Sequence, residues 1–165
     1  MEEGVMSASF ETTVYIVDTS VWIRLYEECY PPEVFPSLYT QLQECARQGR
    51  IMSPRQVLVE LGDGRHGVSA WVRALQPSIV PKETSVIAKH VGSICSEFPA
   101  LIKGTSMEAD PFVIAHAISS GRVVVTEERR SIHPNSRPRI PAVCDARGVM
   151  CIDTLEMLRR LGVKL

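Results

Sequence analysis

The sequence predicts an α/β fold, a three-layer α/β/α sandwich around a central parallel sheet of four to five strands. Two apolar runs rich in β-branched residues, at 14–17 and 122–126, end abruptly in acids and hydroxyls, as buried parallel strands do. Segments with apolar residues at helical spacing separate and follow these runs. Strands that alternate with helices favour a parallel sheet covered on both faces.

The totals of the chain are those of one globular domain. Its 165 residues are 45% hydrophobic and 22% charged, with a net charge of −1, which disfavours disorder and a broad basic surface. Residues 13–165 are predicted to form a single domain, preceded by a flexible polar leader at 1–12. No apolar run approaches the roughly 20 residues that span a bilayer, so we expect no membrane partner.

The five cysteines show no CxxC pairing, and no signal peptide is evident, which predicts a reduced, cytoplasmic protein without a disulfide framework. Cys144, Cys151 and His133 match no common zinc spacing. Buried structural thiols are the expected role of the cysteines.

Residue spacing predicts each element of the first half. Pro31-Pro32 and Gly49 end the first two helices. Ser53-Pro54-Arg55-Gln56 matches a capping box with proline at the first helical position, so Ser53 is expected to cap the helix that carries Glu60. The predicted order is a helix at 20–29, a helix at 36–48, a strand at 51–52, a helix from 54, a turn at 62–67, helices at 68–75 and 83–98, and a weak strand at 78–80.

The second half repeats the pattern. Asp110-Pro111 predicts a helix start after a loop at 98–107, and His116 in that helix is expected to be a packed core histidine. The strand at 122–126 is followed by a polar loop at 127–139, for which simple solvation is the plain interpretation. A short helix at 140–147, a strand at 149–152 and a closing helix at 153–161, capped by Asp153, complete the order.

Four acids are the candidate site residues: Asp18, Glu60, Asp110 and Glu128. Ligands of open α/β sheets bind beyond the carboxyl ends of the strands, where two of these acids are expected, and the other two begin or line neighbouring helices. Like charges about 4 Å apart repel by several kcal/mol at an effective dielectric near 20. A convergent group would therefore need a cation, and oxygen ligands favour Mg²⁺ or Mn²⁺. Metal-assisted phosphodiester hydrolysis is the chemistry that follows.

Plainer interpretations stay open for three of the four acids. Asp18 and Asp110 stand where helix caps stand, and Glu60 has the pattern of a solvated helix acid.

The same residues resemble the motifs of the PIN-domain ribonucleases, over residues 13–165. The four motifs of that family are matched in order by Asp18 with Ser20, by Glu60, by Asp110, and by Thr126 with Glu128. Residues 140–144 (Ile-Pro-Ala-Val-Cys) resemble a prokaryotic subfamily. Glu128 stands where the family commonly has Asp, and Glu127 is the alternative fourth acid.

The resemblance implies a metal-dependent endoribonuclease of VapC toxin type, with the four acids holding one or two Mg²⁺ or Mn²⁺ ions. Ser20 and Thr126 would orient a carboxylate, and Arg129 and Arg130 would contact RNA phosphates. A small antitoxin partner and a homodimer are expected from the resemblance alone. Two alternatives stay open: a non-catalytic PIN-like module that binds RNA or protein, and an α/β phosphatase or receiver domain with Asp18 as nucleophile.

Overall fold

A four-stranded, all-parallel sheet lies at the centre of the molecule. The computed structural model describes residues 13–64, 66–102, 108–131, 133 and 135–165. The strands are β1 (Tyr15–Val17), β2 (Ile51–Met52), β3 (Val123–Val125) and β4 (Cys151–Ile152), and their order across the sheet is β2-β1-β3-β4. The predicted leader at 1–12 and part of the predicted 98–107 loop lie outside the described residues.

Helices cover the sheet, and the three-layer α/β/α prediction is confirmed. Within the described ranges the α-helices are α1 (Thr19–Ile23), α2 (Pro36–Arg47), α3 (Arg55–Leu61), α4 (His66–Ala74), α5 (Ser85–Glu97), α6 (Asp110–Ser120), α7 (Ile140–Arg147) and α8 (Thr154–Leu161). α1 continues into π-helical turns over Arg24–Cys29, and a short 3₁₀ helix follows α5. α1, α3 and α4 contact one another, whereas α6 packs against α5, α7, β1 and β3. None of these helices is long and apolar enough to cross a membrane.

The register of the two central strands brings the residues that follow them together. β1 and β3 are fully apolar and buried, as their sequences predict for central parallel strands. Val17 pairs with Val125, so the next residues, Asp18 and Thr126, leave the sheet side by side. The Asp18 amide donates to the Val125 carbonyl at 3.0 Å. A site at this edge therefore follows from the pairing of β1 with β3.

Two local predictions were wrong and one is confirmed. Residues 78–80 form no strand, although the Ile79 carbonyl accepts a hydrogen bond from the Ser53 amide at 2.8 Å. Ser53 does not cap α3. Its buried hydroxyl donates instead to the Val17 carbonyl at 2.7 Å, because a buried donor and a buried carbonyl must both be satisfied. Asp153 caps α8, accepting at 2.8 Å from the amide of the third helical residue.

Candidate functional site

Asp18 directly follows β1, and its carboxylate is buried, with 4% of the residue exposed. Its Oδ2 accepts hydrogen bonds from Ser20 Oγ at 2.7 Å and from Thr126 Oγ1 at 3.0 Å. The residue stands at the N-cap position of α1, but its side chain makes no capping hydrogen bond, so the capping interpretation was wrong. Burial raises the pKa of Asp18 to about 6, the two hydroxyls oppose this, and Glu128 adds to it.

The Ser20 and Thr126 hydroxyls connect Asp18 to the chain that follows β3. Thr126 Oγ1 accepts from the Glu128 amide at 3.1 Å while it donates to Asp18. Ser20 Oγ likewise accepts from the Glu127 amide at 3.1 Å. A hydroxyl has one donor and two acceptor positions, so each of these hydroxyls donates to the Asp18 carboxylate and accepts from a backbone amide at the same time. The orientation of Asp18 is thus fixed from two sides.

Glu60 lies in the last turn of α3 and connects three helices. Its Oε2 accepts from Thr19 Oγ1 at 2.6 Å, and its Oε1 accepts from the amide of Ala109, the residue before α6, at 2.8 Å. A carboxylate at a helix N-terminus is favoured by the helix dipole. Glu60 is exposed, yet both of its oxygens are engaged, unlike those of a merely solvated helix acid.

Asp110 is the first residue of α6 and is half-buried. Ala109 occupies the N-cap position, and α6 has no side-chain capping hydrogen bond, so the capping interpretation of Asp110 was also wrong. Among the described residues, no hydrogen bond to its carboxylate offsets the cost of burial. Burial first, and then the carboxylates of Asp18, Glu128, Glu60 and Glu108, raise the pKa of Asp110 to about 8.

Glu127 and Glu128 follow β3 in sequence but contact different parts of the molecule. Glu128 Oε2 accepts from the amide of Ile140, the first residue of α7, at 2.9 Å. Glu127 Oε1 accepts from the Thr154 amide at 3.0 Å and from the Thr154 hydroxyl, and its Oε2 lies 3.0 Å from Arg24 Nε. Glu127 therefore holds α8 against the segment after α1, and Glu128 is the acid that acts electrostatically on Asp18 and Asp110.

Asp18, Glu60, Asp110 and Glu128, here called the acidic cluster, come together around Asp110, whose pKa each of the other three raises. Their oxygen donors suit a hard divalent cation. Within the described ranges, however, no three His, Cys, Asp or Glu side chains are arranged to hold a metal ion. Glu60 and Glu128 each accept a hydrogen bond from an amide at a helix N-terminus.

Three charged residues near the cluster were not singled out from the sequence. Arg137 and Arg139 line a cavity of about 330 Å³ together with Asp110 and Glu128, although their loop was interpreted as a solvated charge run. Arg137 Nη2 lies 3.7 Å from Glu108 Oε2. The concentration of arginines in a loop next to a candidate acid could have indicated Arg137 and Arg139 from the sequence. Glu108 could have been found by its position two residues before Asp110.

A family model matches the chain over nearly its whole length. The model is described as Domain of unknown function (DUF4411), and it matches residues 15–165. The chain belongs to the DUF4411 family. The matched region includes every residue of the acidic cluster. A search of curated proteins finds no match to the chain.

Arg129 and Arg130, the two arginines predicted to contact RNA, differ in whether a carboxylate of this DUF4411 domain already binds them. Arg130 forms a bidentate pair with Asp145, Nε to Oδ2 and Nη2 to Oδ1, both at 2.8 Å. This pairing raises the pKa of Arg130 and lowers that of Asp145. Arg129 is exposed, and both arginines line a second cavity, of about 520 Å³, which also reaches Thr126 and Glu128. Arg129 is the more available cation, because Arg130 already donates two hydrogen bonds to the Asp145 carboxylate.

Proposed function

We propose that this DUF4411 domain is a metal-dependent endoribonuclease that hydrolyses RNA phosphodiesters at the acidic cluster. One observation carries the proposal. The Asp110 carboxylate is half-buried among like charges, and burial first, then these charges, raise its pKa to about 8, an arrangement that costs stability unless a cation compensates it. The resemblance of the same acids to the PIN-ribonuclease motifs supports the reaction class, since perturbed carboxylates in a cleft mark candidate functional sites.

The donor set fits Mg²⁺ or Mn²⁺ in its chemistry. Hard divalent cations take carboxylate oxygens, and Asp18, Glu60, Asp110 and Glu128 would hold the ion or ions. When bound, such an ion lowers the pKa of water and neutralises charge that develops on phosphate oxygens.

The remaining roles belong to side chains of this chain. Ser20 and Thr126 fix the orientation of the Asp18 carboxylate through their hydroxyl hydrogen bonds. Arg129, exposed on the wall of the larger cavity, would contact an RNA phosphate, and such contacts position a nucleic acid without reading its sequence. Arg139, on the wall of the smaller cavity, would do the same next to Asp110.

Substitution of single acids tests the proposal. Asp18→Asn and Asp110→Asn, purified and dialysed against chelator, are expected to lose Mn²⁺-dependent cleavage of a mixed RNA pool while circular dichroism shows an intact fold. Glu127→Gln is the matched control, because Glu127 neighbours Glu128 but contacts Thr154 and Arg24 instead. The Glu127 variant should keep its cleavage. Undiminished cleavage by the Asp18→Asn, Asp110→Asn double variant would contradict the proposal.

A second candidate function is a non-catalytic PIN-like module that binds RNA or protein. The observation in its favour is that no three metal-ligating side chains are grouped within the described residues. RNA binding that is independent of metal, with no cleavage by wild-type protein in Mg²⁺ or Mn²⁺, would establish this function in place of the first.

Phosphoryl transfer to Asp18, as in a phosphatase or receiver domain, is disfavoured by the same contacts that hold this side chain. Asp18 is 4% exposed, and one of its oxygens already accepts two hydroxyl hydrogen bonds. A nucleophilic carboxylate needs an open approach to the phosphorus atom. Trapping of a phosphoryl group on Asp18 would reverse this order of preference.

The resemblance to the PIN ribonucleases supplies the proposed partners. We propose RNA as substrate, a small antitoxin protein as regulator and a homodimer as the assembly. Sedimentation at high protein concentration tests the dimer, and only monomers would contradict it. The cytoplasmic location inferred from the cysteines stays a prediction.

A further inference from the structure

A pair of thiols lies beneath the larger cavity, where α7 turns back into the sheet. Cys144 is in α7, and Cys151 begins β4. Between them Gly148 adopts a left-handed conformation, and the Val149 amide donates to the Cys144 carbonyl at 2.9 Å. This tight return brings the two side chains together, and they share a hydrogen bond.

The two thiols differ in access. Cys144 is fully buried, with no exposed surface. Cys151 is half-buried and forms part of the wall of the 520 Å³ cavity. A small reagent that enters the cavity therefore meets Cys151, whereas Cys144 does not line it.

The surroundings favour a thiolate at Cys151. The hydrogen bond from Cys144, and then the nearby Arg130 guanidinium, lower the pKa of Cys151, while burial and the carboxylates of Asp145 and Asp18 oppose them. The same hydrogen bond, with burial, raises the pKa of Cys144. Arg130 is held in place by its bidentate pair with Asp145. A cation next to an accessible sulfur is the usual environment of a reactive cysteine.

We propose that Cys144 and Cys151 are a redox-active pair that forms a reversible disulfide when a hydroperoxide enters the larger cavity. The Cys151 thiolate attacks the peroxide, so that an S–O bond forms, the O–O bond breaks and the leaving oxygen takes a proton as water or alcohol. The Cys144 sulfur then attacks the resulting sulfenic acid. The S–S bond forms, and the hydroxyl leaves as water with the Cys144 proton. Both thiols are oxidised by one peroxide, and a thiol reductant reverses the reaction.

The disulfide would join two elements that support the acidic cluster. The first amide of α7 binds Glu128, and the Ile152 carbonyl in β4 accepts from the Thr126 amide at 3.0 Å. The thiol chemistry is nonetheless independent of the proposed nuclease activity, and it is tested without RNA.

Peptide mapping of the wild-type protein is the primary experiment. Fully reduced, folded protein is treated with hydrogen peroxide, alkylated and digested. We expect a peptide pair joined through Cys144 and Cys151, lighter by two hydrogens than the reduced pair, which disappears after treatment with dithiothreitol. Cys144 and Cys151 that are still fully alkylated after peroxide treatment, or a disulfide that joins either of them to another cysteine, would overturn the proposal.

Cys95 is the matched control. It is half-buried like Cys151, but burial raises its pKa. Because the pKa of Cys151 is lowered and that of Cys95 is raised, a larger fraction of Cys151 is thiolate, and Cys151 should react with iodoacetamide faster than Cys95 at neutral pH. Cys95→Ser should keep the disulfide. Cys144→Ala should leave a sulfenic acid on Cys151 that dimedone traps, and equal alkylation rates at Cys95 and Cys151 would contradict the assignment.

Discussion

Replacement of Asp110 by Asn tests whether repulsion between the carboxylates of the acidic cluster destabilises the metal-free protein, and whether a bound cation removes that cost. The substitution keeps the shape of the side chain and its place at the start of α6, but removes one of the charges that meet there. In the absence of metal we expect Asp110→Asn to stabilise the protein. Most substitutions at half-buried sites do the opposite.

The magnitude follows from the pKa of Asp110, which rises from its ordinary value of 3.8 to about 8 in the folded protein. At about 1.4 kcal/mol per pKa unit, the fully ionised carboxylate costs the fold about 6 kcal/mol. This is a ceiling, because neighbouring acids rotate toward water, and we expect a gain of about 2 to 4 kcal/mol at pH 9.

The sign of the pH dependence is fixed by the upward shift. Well below the unfolded pKa of 3.8 the Asp110 carboxyl is protonated in both states, so the difference in stability between variant and wild type is small at pH 4 and vanishes at lower pH. As the pH rises toward 8, the unfolded state releases its proton before the folded state does, and wild-type stability falls. Above the folded pKa the full cost is present and no longer changes.

Urea unfolding of metal-free wild-type and Asp110→Asn protein between pH 4 and pH 9 measures these differences. Addition of Mn²⁺ at about a hundred times its dissociation constant should then stabilise the wild type by about 2.7 kcal/mol, and the variant by much less. A variant less stable than the metal-free wild type at pH 9 would refute the electrostatic argument. Equal stabilisation of both proteins by Mn²⁺ would refute Asp110 as a ligand while leaving the repulsion intact.

Three further predictions concern Thr126, His116 and the glycines of α4 and α5. Thr126→Val should lower the free energy of unfolding in urea by about 2 kcal/mol, because a charge-assisted hydrogen bond is lost, and should abolish RNA cleavage. The control, Thr154→Val at the start of α8, should lower stability but leave cleavage unchanged. Burial lowers the pKa of His116, so the folded protein favours the neutral imidazole. The stability that this group contributes is fully present above pH 6.5 and is lost as the pH drops through the folded pKa. His116→Gln should make urea-unfolding stability less dependent on pH in this range. Gly67→Ala places a Cβ 2.8 Å from the Tyr26 ring and should lower the melting temperature, while Gly92→Ala, with nothing within 4 Å, should raise it.

The order of strands and helices could be predicted because it depends on local patterns. Glycine beyond the last turn ends a helix through its left-handed conformation, as Gly121, Gly148 and Gly162 do here, and apolar runs rich in β-branched residues favour buried strands. Short polar segments were poorer predictors of which hydrogen bonds their side chains make. Ser53 has the sequence of a cap, yet its hydroxyl serves a buried carbonyl of β1, a partner that only the folded protein supplies.

The composition of the candidate site was predictable, but its geometry was not. The sequence indicated which acids follow strands and begin helices, and the pairing of β1 with β3 then placed Asp18 next to Thr126. Between Glu127 and Glu128 the sequence left a choice. Consecutive side chains at a strand end point in different directions, so one acid contacts α8 and the other contacts α7.

By itself, then, the sequence determined the fold class, the element order and the four acids, because backbone preferences and apolar periodicity act over a few residues. Only the tertiary structure decided that Asp110 is half-buried among like charges and that Glu60 and Glu128 are bound to helix amides. Burial and charge interactions arise between residues far apart in the chain, and their strength depends on distances that no local pattern encodes.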